Sequence, residues 1–430
     1  MTRRLTAQFS ILFLALAAFA QNFPPPTEFK TGYKLPATTV PMPRAEWLAY
    51  LDVAVLAFAL LLAAYLVLRK RSRLGVLLLT IGSLLYFGFY RHGCICPVGA
   101  LQNVALAIAD TGYALPLAVG LFFLLPLLFA LFVGRVFCAA VCPLGAAQEV
   151  VLLRPIKVPA WLDHALGLLP YVYLGVAVLF AATGSAFLIC QYDPFVLFFR
   201  FHGSAMMLVI GVGMLLIATV VGRPYCRFLC PYGALLRLLA PLTRWPVRIT
   251  PHQCVNCKLC EDACPHGAIH PPTPEEKLPR REGKGRLIGL LALLPVLIAA
   301  GAMLARQASP AFARLHPTVR IAEHVGLKEA GILAQETNEV VAFEQSGADS
   351  GALFTQACAI QRRFDRASWF FGGWIGLVIG LKLLALALRR RRTEYEIDQA
   401  ACLGCARCYA SCPVTCDGTI AVKVPEGSAR

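Results

Sequence analysis

Charge is what this sequence has least of. Asp, Glu, Lys and Arg make up 15% of its 430 residues and hydrophobic residues 58%, whereas a soluble domain carries about 25% charged residues. A water-facing globule is excluded, and an integral membrane protein is implied. Acid is scarcer than base, with 24 Asp and Glu against 40 Lys and Arg. In a soluble chain the net charge of +16 would raise nucleic acid as a partner. Membrane proteins, however, collect Lys and Arg in cytoplasmic loops, so no nucleic acid is expected. Met and His number six and eight and form no cluster, which argues against a chain that accepts a metal such as copper for delivery. No C-x-x-C-H run occurs, so covalently attached haem is not expected. Cysteine, by contrast, is abundant at seventeen, and most of it falls in short motifs that read as ligands before disulfides.

The first residues carry Arg3 and Arg4, then an apolar stretch from Phe9 ending Ala18-Phe19-Ala20. This is the pattern of a signal peptide over residues 1–20, with an uncleaved anchor as the alternative. Either way, residues 21–47, with Pro24-Pro25-Pro26, lie on the periplasmic side. Apolar runs of about 20 residues, each enough to cross a hydrocarbon core, are expected near 48–68, 74–90, 113–133, 166–182, 204–221, 287–305 and 369–388. The second and fourth are short enough to be re-entrant. With this topology the loops 69–73, 134–165 and 222–286 and the tail from 389 fall inside. They hold most of the Lys and Arg, including Arg69-Lys70-Arg71 and Arg389-Arg390-Arg391-Arg392, as the positive-inside rule requires. The stretch 306–368 becomes a periplasmic cap, helical near Glu323 to Gln335.

Two cysteine runs share one spacing: Cys254, Cys257, Cys260, Cys264 before Pro265, and Cys402, Cys405, Cys408, Cys412 before Pro413. In two-cluster ferredoxins three thiolates at x2 spacing wrap one [4Fe-4S] cluster and the fourth Cys serves the other cluster. Zinc also takes four thiolates but needs neither the third Cys at x2 spacing nor the Cys-Pro end. Both runs fall inside, so residues 250–286 and 389–430 are expected to form one split α+β ferredoxin module on the cytoplasmic side of an all-α polytopic membrane protein. Cross-ligation would pair Cys254, Cys257 and Cys260 with Cys412, and Cys402, Cys405 and Cys408 with Cys264. The alternative is that each run closes its own cluster. Cys416 has no assigned role.

A second repeat lies within the expected membrane core, 48–249. Gly134-Arg135, then Cys138-x3-Cys142-Pro143-Leu144-Gly145-Ala146, recurs as Gly222-Arg223, then Cys226-x3-Cys230-Pro231-Tyr232-Gly233-Ala234. Residues i and i+4 share a helix face, so Cys138, Cys142, Cys226 and Cys230 can supply four thiolates to a third centre, iron–sulfur ahead of zinc; packed, unliganded or redox-active thiols are the alternative. A degenerate copy, Cys94-Ile95-Cys96-Pro97-Val98-Gly99-Ala100, is expected outside, as are Cys190 and Cys358. There a disulfide from Cys94 or Cys96 to Cys190 competes with a three-thiolate metal site, because that compartment oxidises thiols.

Spans with Cys-x3-Cys-Pro pairs and a two-cluster signature resemble the membrane-bound polyferredoxins of the NosR and NapH type, over roughly residues 74–270 and 369–415. The resemblance implies a quinol dehydrogenase-like relay in the inner membrane between the quinone pool and an extracytoplasmic redox partner. The NosR branch carries an outer flavin-binding domain, and none is expected at this N-terminus. Asp349 to Thr355 resembles a covalent flavin attachment sequence, but Leu353 stands where the acceptor threonine belongs, so FMN is not expected.

Quinol oxidation needs proton acceptors. His92, Asp193 and His202 sit at expected outer helix ends, where surface or capping roles compete. Arg135 and Arg223 either tune cluster charge or anchor helix ends, and Asp52 and Lys382 are expected to snorkel. Two further classes compete with the relay: a metal-reducing maturation factor for a respiratory oxidase, and a redox sensor using Cys358 or Cys416.

Overall fold

A computed structural model describes residues 45–93, 96–201, 204–249, 254, 257–273, 280–332, 338–387, 392 and 394–413. The expected signal peptide, Cys94, His202 and Cys416 lie outside them. Helix α1 (Glu46–Leu68) buries Asp52, Leu56, Ala59, Leu60, Ala63, Leu66 and Val67. That spacing of three and four keeps one face inward. Phe58, Leu61 and Tyr65 point outward, apolar on the exposed side as a bilayer demands. Ser72 caps α2 (Arg73–Ser83) by accepting the Gly75 N–H, and the helix continues as π-helix through Leu84–Tyr90. Then come α3 (Pro97–Ala109), α4 (Leu117–Val133), α5 (Pro143–Val150), α6 (Ala160–Leu166), α7 (Leu169–Ala182), α8 (Ala205–Ala218), α9 (Pro231–Leu239), α10 (Arg280–Gln307), α11 (Pro317–Glu329), α12 (Asn338–Gln345) and α13 (Ser350–Ala387).

Five helical stretches among the described residues are long and apolar enough to cross a membrane: Glu46–Leu68, Arg73–Tyr90, Ala160–Ala182, Gly285–Gln307 and Ser350–Ala387. Two of the seven expected spans are shorter: α4 stops at Gly134, which has φ 84°, and α8 has 14 residues, about 21 Å of rise. The expected outer loop 91–112 instead holds the apolar helix α3. Its Gln102 is fully buried, and its side-chain oxygen accepts the N–H groups of Ile189 and Cys190.

The last two long helices pair through small residues. Ser368, Gly372, Gly376 and Gly380 are buried at four-residue intervals along α13, and a Cβ at Gly372 or Gly376 would fall on the carbonyl of Gly301 or Leu297 of α10. Such close backbone approach is how membrane helices associate where lipid removes the hydrophobic drive. Within 306–368, α11, α12 and the first turns of α13 enclose Val319, Ala322, Val325, Val340, Leu353 and Phe364 over Phe180 of α7. A helix runs Pro317–Glu329, and the far end of the one expected near Glu323 to Gln335 lies outside the described residues. Leu353 is therefore a core residue of the cap.

Candidate metal centres

The two ferredoxin halves meet. Strand β1 (Ile269–His270) pairs antiparallel with β2 (Glu396–Ile397), Ile269 opposite Ile397. The short helices Leu259–Asp262 and Arg407–Ser411 also pack together, and the residue after the second Cys of each run, Lys258 or Ala406, takes the same left-handed conformation. One pocket is lined by Cys264, Cys402, Cys405 and Cys408 together, with the Gly404 N–H donating to Cys402 Sγ at 3.4 Å and the Ala268 N–H to Cys264 Sγ at 3.4 Å. Cys264 thus lines one pocket with the second run. Burial pushes the Cys402 thiol up to about 12, so a free thiolate is disfavoured there. Cys260 is buried and feels Cys257 and Cys254. Cys412 is the C-cap of the helix packed on that side.

The repeated pairs form a second sulfur set. Cys142 and Cys230 are the N-cap residues of α5 and α9, and Cys138 and Cys226 precede them in a π turn and a short helix. All four are buried, and Cys142 lies near enough to feel Cys226, Cys138 and Cys230. The Gly233 N–H donates to Cys230 Sγ at 3.3 Å and the Gln148 amide to Cys226 Sγ at 3.5 Å. The repeated glycine has a physical cause: a Cβ on Gly145 would sit 3.0 Å from the Cys138 carbonyl, 3.1 Å from Arg223 and 3.7 Å from Cys226 Sγ. Gly222 likewise lets the ferredoxin approach, since a Cβ there would lie 2.8 Å from the Pro265 carbonyl.

Between the two sulfur sets lies a buried ionic network that sequence reasoning missed. Glu149 of α5 has no exposed side-chain surface and binds Arg73, Arg223 (3.0 Å) and Arg407 (2.8 Å). Burial would raise its carboxyl pKa, but Arg223, Arg407 and Arg73 overcome that and hold it well below the usual carboxylate range. Arg223 also donates to the carbonyls of Cys138 and Ala139, Arg73 to the Cys405 carbonyl, and Arg135 to the Ala400 carbonyl at 2.8 Å and toward Cys138 Sγ at 4.0 Å. Arg135 and Arg223 are 3% and 0% exposed. They are internal cations that stand near the sulfurs and also hold backbone carbonyls of the turn around Cys138 and of Ala400.

Cys96 precedes α3, and a Cβ on Gly99 would meet Cys190 Sγ at 3.2 Å, as Gly145 faces Cys226. Cys96 lies near enough to be felt by Cys142 and Cys230. Asp193 is buried and accepts the Phe195 N–H at 2.9 Å, and His92 Nδ1 lies 3.2 Å from the Phe199 carbonyl. Asp52 does not snorkel: it is 0% exposed, accepts Tyr86 Oη–H at 2.8 Å and pairs with Arg91 at 3.0 Å, since a carboxylate in this layer needs partners.

The donor set fits iron–sulfur clusters: four soft sulfurs around one pocket, with backbone N–H groups aimed at sulfur.

The helices and sulfur sets define a membrane-embedded iron–sulfur protein. A 4Fe-4S binding domain family matches residues 115–160 and 204–250, which contain the two Cys-x3-Cys-Pro pairs, and a second 4Fe-4S binding domain family matches 247–270. The chain belongs to the NosR/NapH-type family of iron–sulfur membrane proteins. It is 30% identical to an uncharacterized protein of Methanocaldococcus jannaschii over 42% of this chain and 77% of that one. It is 28% identical to YccM of Escherichia coli, described as an electron transport protein, over 39% of this chain and 52% of that one. To the regulatory protein NosR of Stutzerimonas stutzeri it is 28% identical over 47% of this chain and 30% of that one. No solved structure matches.

Proposed function

We propose that this iron–sulfur electron-transfer protein relays electrons between the quinone pool or a cytoplasmic donor and an extracytoplasmic redox partner, as a quinol dehydrogenase-like component of the inner membrane. The carrying observation is the sharing of Cys264 with Cys402, Cys405 and Cys408, with the pairs held one Arg–Glu layer away. Cys254, Cys257, Cys260 and Cys412 would hold one [4Fe-4S] cluster and Cys264, Cys402, Cys405 and Cys408 the other. Cys138, Cys142, Cys226 and Cys230 would hold a third centre. Cys94, Cys96 and Cys190 would extend the sulfur series toward the periplasmic face, and His92, Asp193 and His202 would lie near quinol protons.

When bound, clusters supply one-electron chemistry with potentials set by charge, hydrogen bonds and exposure. The chain's own part is to exclude water around Cys138, Cys142, Cys226 and Cys230, to aim N–H donors at sulfur, and to place Arg135 and Arg223 where added negative charge is stabilised. The positive-inside pattern supports a cytoplasmic ferredoxin module and a periplasmic cap at 306–368. The test is iron and acid-labile sulfide analysis with EPR on the purified chain, wild type and Cys264→Ser. Shared ligation requires that C264S perturb the cluster of the 402–408 run and spare that of the 254–260 run. The opposite result refutes it, and failure of a quinol analogue to reduce the wild-type clusters refutes the quinone arm.

A further inference from the structure

A cavity of about 360 Å³ opens at the ferredoxin end of the bundle. One wall is α7 and α13, through Tyr171, Leu381 and Lys382, and the opposite wall is the ferredoxin segment at Ala400–Ala401 with Arg135 and Arg237 between. Its lining is strongly cationic. Arg223 is matched by Glu149 and Arg227 by Asp163, whereas Arg135, Arg237 and Lys382 make no ion pair among the described residues. Asp398, also in the wall, is turned to the Ala400 N–H at 2.9 Å. Arg135 Nε and Arg237 Nε are buried donors without a hydrogen-bond partner among the described residues. Burial and repulsion from Arg135 bring the Arg237 guanidinium down to about 10. Orphaned donors and surplus buried charge both cost free energy unless an acceptor anion fills the space.

We infer that this cavity binds the phosphate of an anionic amphiphile, held by Arg135, Arg237 and Lys382. The cavity is bounded by α7 and α13, which belong to two of the long apolar stretches, and its lining includes Leu238 and Leu381, 43% and 44% exposed, so acyl chains can lie outward over that apolar edge while the head group stays among the guanidiniums. Guanidinium forks match phosphate oxygens. The bound group would join α9, α13 and the turn before Cys138 to the ferredoxin segment that Arg135 already touches.

The test reconstitutes the full chain in nanodiscs of phosphatidylcholine alone or with added phosphatidylglycerol and follows thermal loss of cluster absorbance. Phosphatidylglycerol should raise the midpoint of the wild type, and each of Arg237→Gln and Lys382→Gln should weaken the apparent lipid affinity about fivefold. Lys382→Glu, at a half-buried position that tolerates a polar side chain, should abolish the response even if R237Q fails to fold. Arg154→Gln, at an exposed position, should leave it unchanged. Equal midpoints in the two lipids, or a wild-type response in K382E, overturns the site. A full response to inorganic phosphate in phosphatidylcholine discs overturns the lipid source and assigns the cavity to the free ion.

Discussion

Replacing Glu149 by Gln removes the carboxylate that Arg73, Arg223 and Arg407 share while keeping the side chain's shape. Arg223 is 0% exposed, so its charge is left in a low-dielectric interior, and breaking a buried pair this way costs about 3–5 kcal/mol. Arg73 and Arg407 retain 20% and 23% of their exposure, so water screens part of their loss and they add little. The cluster-bound protein should melt several degrees lower. A second readout separates electrostatics from folding. An unmatched charge beside Cys226 and Cys405, both of which Arg223 feels, is worth on the order of 1–2 kcal/mol at an effective dielectric of about 20, or roughly 60 mV for a one-electron couple. EPR-monitored redox titration should show midpoints displaced upward. Because the folded pKa of Glu149 is depressed, its contribution is complete above the unfolded carboxylate value of about 4.3 and lost as pH falls through the folded one. The stability gap between wild type and E149Q should therefore hold from neutral pH to about 5 and close only in stronger acid. Unchanged melting with unmoved potentials would refute the reasoning.

Gly145→Ala should disturb the pair centre alone, since its Cβ meets Cys138, Arg223 and Cys226: iron per chain should fall while the ferredoxin EPR signals persist. Gly376→Val should separate α10 from α13 by pressing on the Leu297 carbonyl, costing about 1–3 kcal/mol in detergent unfolding assays. Asp52→Asn should strand Arg91, 20% exposed on its side chain, and destabilise the chain by a few kcal/mol, whereas Asp52→Asn with Arg91→Gln should recover part of the loss in a double-mutant cycle.

Composition, the long apolar runs and both cysteine spacings were readable without coordinates, because solvation by lipid and ligation by sulfur each impose a local, periodic signature. Membrane embedding, the iron–sulfur class and the meeting of residues 254–264 with 402–412 follow from those alone. The tertiary structure decided the rest. Gln102 and α3 read as loop because a 13-residue helix is too short to carry a span's hydropathy, and Asp52 read as a snorkelling charge because its partners, Tyr86 and Arg91, lie on another helix. Glu149 was invisible for the same reason: Arg73, Arg223 and Arg407 come from three distant segments, and only packing brings them to one buried carboxylate. Spacing along a chain specifies which atoms can ligate together. Burial and opposite charge, which depend on what lies across the bundle, specify the energy of doing so.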